Sequence, residues 1–103
     1  MNDPMKAHRE LREHHVRLLV DFIKVELTTA RTMAKVVETE LHANNLARAR
    51  EALKKARMAH HEVVKKLSET SLSDDDRRML EAQGREVEDV LDHLALPDES
   101  PSD

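Results

Sequence analysis

Apolar residues recur through the first part of the chain with the spacing of a helical heptad. They lie at alternating intervals of four and three residues, which places them on one line of an α-helix. This line, the first apolar stripe, comprises Val16, Val20, Ile23, Leu27, Ala30, Ala34, Val37 and Leu41. Such a run predicts a long helix with one face buried against other helices.

A second line of apolar residues follows a neighbouring face of the same predicted helix. This second apolar stripe comprises Leu11, Leu18, Phe22, Val25, Met33 and Val36. At 100° per residue the two stripes together span roughly 220° of the helix circumference. A helix that is apolar over more than half of its surface needs neighbours on more than one side, which predicts an assembly that includes a second chain.

Local signals place two further helices and short connections. Pro4, after an aspartate, favours the start of the first helix, and Asn44 favours a turn because asparagine tolerates left-handed backbone geometry. Ser73 precedes three aspartates, a combination that favours the start of a third helix. The predicted helices lie near residues 4–42, 46–68 and 74–95.

These elements predict an all-α fold, a three-helix bundle with a long first helix. Short connections make consecutive helices antiparallel, so the first two form a hairpin and the third packs alongside, parallel to the first. Small residues on facing sides predict a close hairpin: Ala30, Ala34, Ala49, Ala52, Ala56 and Ala59. Residues 1–96 are predicted to form a single helical domain, and the acidic, proline- and serine-rich residues 97–103 a disordered tail.

The predicted core faces of the second and third helices follow from the same periodicity. The second helix contributes Leu46, Ala49, Ala52, Leu53, Ala56, His60, Val63 and Leu67. The third contributes Leu80, Gln83, Val87, Val90, Leu91 and Leu94.

Composition narrows the class of protein. The 103 residues include one aromatic residue, one glycine and three prolines, a balance that disfavours a β-sandwich or barrel. There is no cysteine, which excludes disulfides, thiol nucleophiles and thiolate metal sites. The sequence begins with no signal-peptide pattern and has no apolar run of membrane-spanning length, so we expect a soluble, cytoplasmic protein without a membrane partner.

Charge is unevenly distributed along a chain of net charge −4. Residues 45–68 carry seven bases against two acids, and residues 69–103 carry twelve acids against three bases. Two consecutive helices of opposite sign are expected to be electrostatic neighbours. Nucleic acid is therefore not the expected partner, although a nucleic-acid-associated regulator that uses the basic second helix stays open as an alternative.

The seven histidines do not have metal-ligand spacing. No two of them lie three or four residues apart, and no glutamate is followed by histidine three residues later. We therefore expect no metal, no cofactor and no catalytic residue, and hence a protein that is not an enzyme.

Three polar residues interrupt the apolar pattern: His15 and Glu26 in the first helix and His60 in the second. Buried polar groups need partners, so these residues are candidates for a polar core that fixes helix register. The alternative is a metal- or small-ligand-binding bundle built from the same three side chains.

Residues 33–56 resemble one unit of the tetratricopeptide repeat. Ala49, Leu53 and Ala56 stand at the spacing of its small, large and small positions, and Met33 and Val36 match large positions of its first helix. Three helices with an alanine-rich second one are also similar to the microtubule-interacting and transport domain. Both families are non-enzymatic peptide-binding modules, so the resemblance implies an interaction with a protein or peptide.

The lengths of the predicted helices indicate how the chain would self-associate. The first helix would be about 58 Å long and the second about 35 Å, so the second covers the first only to about residue 19 or 20. The apolar residues before and at that boundary then need a second chain. We expect a small helical interaction or scaffold protein that forms a homodimer through Leu11, Val16, Leu18, Leu19, Phe22 and Ile23.

Overall fold

The computed structural model describes residues 4–94 and residue 96, and it contains three helices. They are α1 (Pro4–His42), α2 (Leu46–Glu69) and α3 (Asp74–Asp92). No strand occurs among the described residues, so the predicted all-α three-helix bundle is confirmed. The third helix ends earlier than predicted, because the N–H groups of His93 and Leu94 close its last turn on Asp89 and Leu91. The tail predicted at residues 97–103 lies outside the described residues.

Both connections use the side chains that the sequence indicates. Asn44 has φ 58°, and the N–H of Asn45 donates to the Glu40 carbonyl at 2.8 Å, which closes the end of α1. The Asn45 side chain then accepts from the N–H of Arg48, and the Ser73 hydroxyl accepts from that of Asp76. Each of the two later helices therefore begins with a side-chain cap.

The first apolar stripe forms the centre of the core. Six of its members are buried: Val20, Ile23, Leu27, Ala30, Ala34 and Val37. Val16 and Leu41, at its two ends, are partly buried against the same cluster. The predicted small residues Ala49, Ala52, Ala56 and Ala59 are all buried on α2, so the helices of the hairpin approach closely.

Helix α3 packs on one side of the hairpin. Arg31 of α1 forms an ion pair with Glu86 of α3 at 3.8 Å. The His60 side chain of α2 contacts the Gly84 carbonyl of α3 at 3.2 Å. The Arg77 guanidinium of α3 donates to the carbonyls of Leu67 and Thr70 at the end of α2. These contacts run in opposite chain directions on α2 and α3, so the two helices are antiparallel.

Several predicted core positions are wrong because a helical pattern alone does not show on which side a neighbour lies. Gly84 is buried where α3 faces α2, whereas Gln83 is only half-buried and Val90 is 44% exposed. His60 is likewise half-buried. The basic α2 packs against the acidic α3, as expected, but the ion pairs Arg31–Glu86 and Arg77–Glu81 do not join these two helices.

Candidate interaction surface

Four large apolar side chains lie exposed along one line of α1. Leu11 is 66% exposed, Leu18 54%, Phe22 41% and Val25 60%. They belong to the second apolar stripe, and their intervals of seven, four and three residues keep them on one face of the helix. We call these four residues the exposed apolar stripe.

The exposed apolar stripe lies on the side of α1 away from α3. Phe22 and Arg31 are nine residues apart, or two and a half helical turns, so their side chains lie on opposite sides of the helix axis. Arg31 faces α3 through Glu86, so Phe22 points to the opposite side. There the Nζ atom of Lys66 on α2 lies 5.8 Å from the centre of the Phe22 ring, a distance typical of a cation–π contact. The α1–α2 hairpin thus has one side covered by α3 and one side open.

On this open side, Phe22 and Lys66 lie where the surfaces of α1 and α2 meet. Because the helices are antiparallel, one turn beyond the contact of Phe22 with Lys66 brings Glu26 level with Glu62. Both glutamates are half-buried. Neither has a hydrogen bond or an ion pair with another residue in the described range. We call the surface formed by Phe22, Glu26, Glu62 and Lys66 the open groove.

The N-terminal part of α1 extends beyond the other two helices. Every residue from 4 to 15 is exposed, a length of about 18 Å, and the first buried residue of α1 is Val20. The connection between α2 and α3 reaches α1 near Val16, where Ser71 shares a surface depression with it. We call residues 4–15 the overhang. It carries Lys6, His8, Arg9, Arg12, His14 and His15 against Glu10 and Glu13.

The structure divides the predicted self-association residues into two groups. Leu11, Leu18 and Phe22 are exposed, and Leu19 is half-buried. Val16 packs partly against the core, and Ile23 has no exposed surface, so the prediction is wrong for Ile23. Ile23 belongs to the first apolar stripe, which α2 and α3 cover. Val25, which was not among the predicted residues, belongs to the surface instead, as its place in the second stripe indicates.

The predicted polar core of His15, Glu26 and His60 does not form within one chain. His15 lies on the overhang and is exposed, because α2 and α3 end before they reach it. His60 donates its Nε2–H to the Gly84 carbonyl on the side of the hairpin that α3 covers. Across residues 4–94, no group of three histidine, aspartate or glutamate side chains is placed to hold a metal ion.

A row of bases occupies the outer face of α2. Arg50, Lys54, Arg57, His61 and Lys65 are all exposed, and their spacing places them on the face opposite the core. Arg50, Lys54, Arg57 and His61 also line a shallow depression of about 720 Å³. We call these five residues the basic face.

No helix within the described residues is long and apolar enough to cross a membrane. The resemblances to the tetratricopeptide repeat and to the microtubule-interacting and transport domain stay predictions. Comparison of the chain with protein-family models, with curated proteins and with solved structures found no match in any of the three.

Proposed function

We propose that this chain is a small, non-catalytic helical interaction protein that self-associates as a homodimer through the exposed apolar stripe. We also propose that it acts in the cytoplasm, the location expected from the sequence. The observation that carries the proposal is the alignment of Leu11, Leu18, Phe22 and Val25 on one open face of α1. Scattered single apolar residues are normal on protein surfaces, but a contiguous line of four is typical of an interface.

The free energy available from such a contact supports this proposal. Full burial of one large apolar side chain contributes about 1.5–3 kcal/mol relative to leaving it in water. A two-fold contact would bury the four residues of both copies. Because these side chains are now about half exposed, roughly half of the free energy of full burial is still to be gained for each of them. The simplest cover for a continuous apolar line is therefore the same line of a second copy.

Light scattering on the purified chain at micromolar concentration tests the proposal. The wild-type protein should have about twice the 11.8 kDa mass of one chain. Leu18→Glu with Phe22→Glu should give the mass of one chain while circular dichroism stays helical. As a matched control, Val64→Glu with Val90→Glu changes two exposed apolar residues away from the open side of the hairpin and should leave the mass unchanged. A wild-type mass near 11.8 kDa at every concentration contradicts the proposal.

A second candidate function is association with nucleic acid through the basic face. One observation favours it: the five side chains of the basic face are all exposed on the side of α2 opposite the core. Binding to duplex DNA should then weaken steeply with salt and disappear in Lys54→Glu with Arg57→Glu. Lys24→Glu with Lys35→Glu, an equal change of charge at two exposed residues of α1, is the control. Failure to retain the chain on heparin at low salt would exclude this function.

A further inference from the structure

The overhang and the open groove have complementary properties. Every residue of the overhang is exposed, and it carries three cationic side chains and three histidines against two glutamates. The open groove has two half-buried glutamates, Glu26 and Glu62, with no hydrogen bond or ion pair to another described residue. A half-buried carboxylate is stabilised by an approaching cation more strongly than a fully exposed one, because water screens it less.

The direction of two associated α1 helices decides whether these features meet. In a parallel pair, the two overhangs lie side by side, and Glu26 of one chain lies level with Glu26 of the other. Like charges then face each other both between the two overhangs and between the two Glu26 side chains, which opposes association. In an antiparallel pair, each overhang runs along the open groove of the other chain, so bases approach carboxylates.

Charge pairing and apolar pairing select the same antiparallel register. Arg12 and His15 lie 14 and 11 residues before Glu26, about 40° and about 20° from it around the helix axis, so both lie on the side of α1 that carries Glu26. Placing Glu26 of the second copy between them brings Leu18 level with Phe22 of that copy, and Leu11 level with Thr29. The two-fold axis then passes α1 at the level of Val20. Asp21 lies near this axis on the exposed flank, where solvent screens its repulsion from its counterpart.

We propose that two copies of this chain associate antiparallel, α1 against α1, with Arg12 and His15 of each overhang binding Glu26 in the open groove of the other copy. This inference rests on the proposed self-association and specifies its partner, direction and register. It also accounts for the length of α1, since the overhang supplies the missing neighbour of the open groove. The resulting core contains α1 and α2 of both chains, with each α3 on the outside.

A charge exchange tests the polar contact. Glu26→Lys alone, and Arg12→Glu with His15→Glu alone, should each weaken self-association about tenfold, because each homodimer then contains two like-charge contacts. Mixing the two variants should restore wild-type affinity, since both contacts of the mixed dimer again join opposite charges. Glu38→Lys, an exposed change on the side of α1 that faces α3, is the control. A wild-type dimer whose affinity none of these variants changes overturns the inference and leaves self-association intact, whereas a monomeric wild type overturns both.

Cysteine cross-linking tests the direction independently, because the chain has no cysteine of its own. Mixed Leu11→Cys and Thr29→Cys chains should form a disulfide-linked heterodimer on mild oxidation. Neither variant should link to itself, since its two copies would lie about 27 Å apart along the helix axis. Self-linking of Leu11→Cys without the heterodimer indicates a parallel pair and overturns the inference.

Discussion

His60 of α2 donates its Nε2–H to the carbonyl oxygen of Gly84 on α3 at 3.2 Å, and this hydrogen bond joins the two helices near the middle of their contact. His60→Ala should lower the free energy of unfolding by about 1 kcal/mol, the usual net contribution of one hydrogen bond. The neighbouring His61 is exposed, so His61→Ala should change it by less than about 0.5 kcal/mol. Urea denaturation measures the free energy of unfolding of both variants, and equal losses would contradict a specific role for His60.

Gly84 itself is replaceable by alanine. A Cβ atom built at this position meets only the Val63 Cγ1 atom, at 4.0 Å, which is ordinary van der Waals contact. Alanine is more favourable than glycine in a helix interior by about 1 kcal/mol. Gly84→Ala should therefore raise the midpoint of thermal unfolding. A lower midpoint would show that α3 needs to approach α2 more closely than this distance indicates.

Arg77 joins the end of α2 to the start of α3. Its Nη1 atom donates to the Leu67 carbonyl at 3.0 Å, and its Nη2 atom donates to the Thr70 carbonyl at 2.6 Å. Arg77→Ala should lower the free energy of unfolding by about 2 kcal/mol, because charged donors make the stronger hydrogen bonds. Arg77→Lys should restore only part of this loss, since an ammonium group lacks the two-pronged geometry of a guanidinium. Arg78→Ala, at the exposed neighbouring residue, is the control for lost charge.

Asn44 adopts the left-handed backbone conformation that ends α1, with φ 58°. Asn44→Ala should lower the free energy of unfolding by about 1 kcal/mol, because a Cβ without a polar group is strained in this conformation. Asn44→Gly should be neutral or slightly stabilising, since glycine adopts it freely. A larger free energy of unfolding for Asn44→Ala than for Asn44→Gly, measured by urea denaturation, would contradict this account of the turn.

The sequence predicts most accurately those features that depend on helical period and local hydrogen bonding. The first apolar stripe is buried from Val20 to Val37, and Asn44 and Ser73 form the turn and the cap that their side chains favour. These features need no knowledge of where a neighbouring helix lies.

The errors occur where the side of packing decides burial. Ile23 and Phe22 are adjacent apolar residues, yet Ile23 is fully buried and Phe22 is 41% exposed, because α3 packs on the side opposite Phe22. His15 falls outside the core because α2 and α3 are too short to reach it. The burial of Ile23 rather than Phe22 does not follow from one helical pattern, since it depends on the relative placement of three elements. The exposure of His15, in contrast, is already indicated by the predicted lengths of the helices.

The short turn between α1 and α2 has a kinetic consequence. Contacts beside this turn, such as those of Val37, close only a small loop, whereas contacts near Val20 close a loop of well over forty residues at a larger entropic cost. Folding should therefore begin at the turn and proceed toward the far end of the hairpin, on the fast timescale typical of chains with mostly local contacts. In stopped-flow experiments, Asn44→Ala should mainly slow folding, and Val20→Ala should mainly accelerate unfolding.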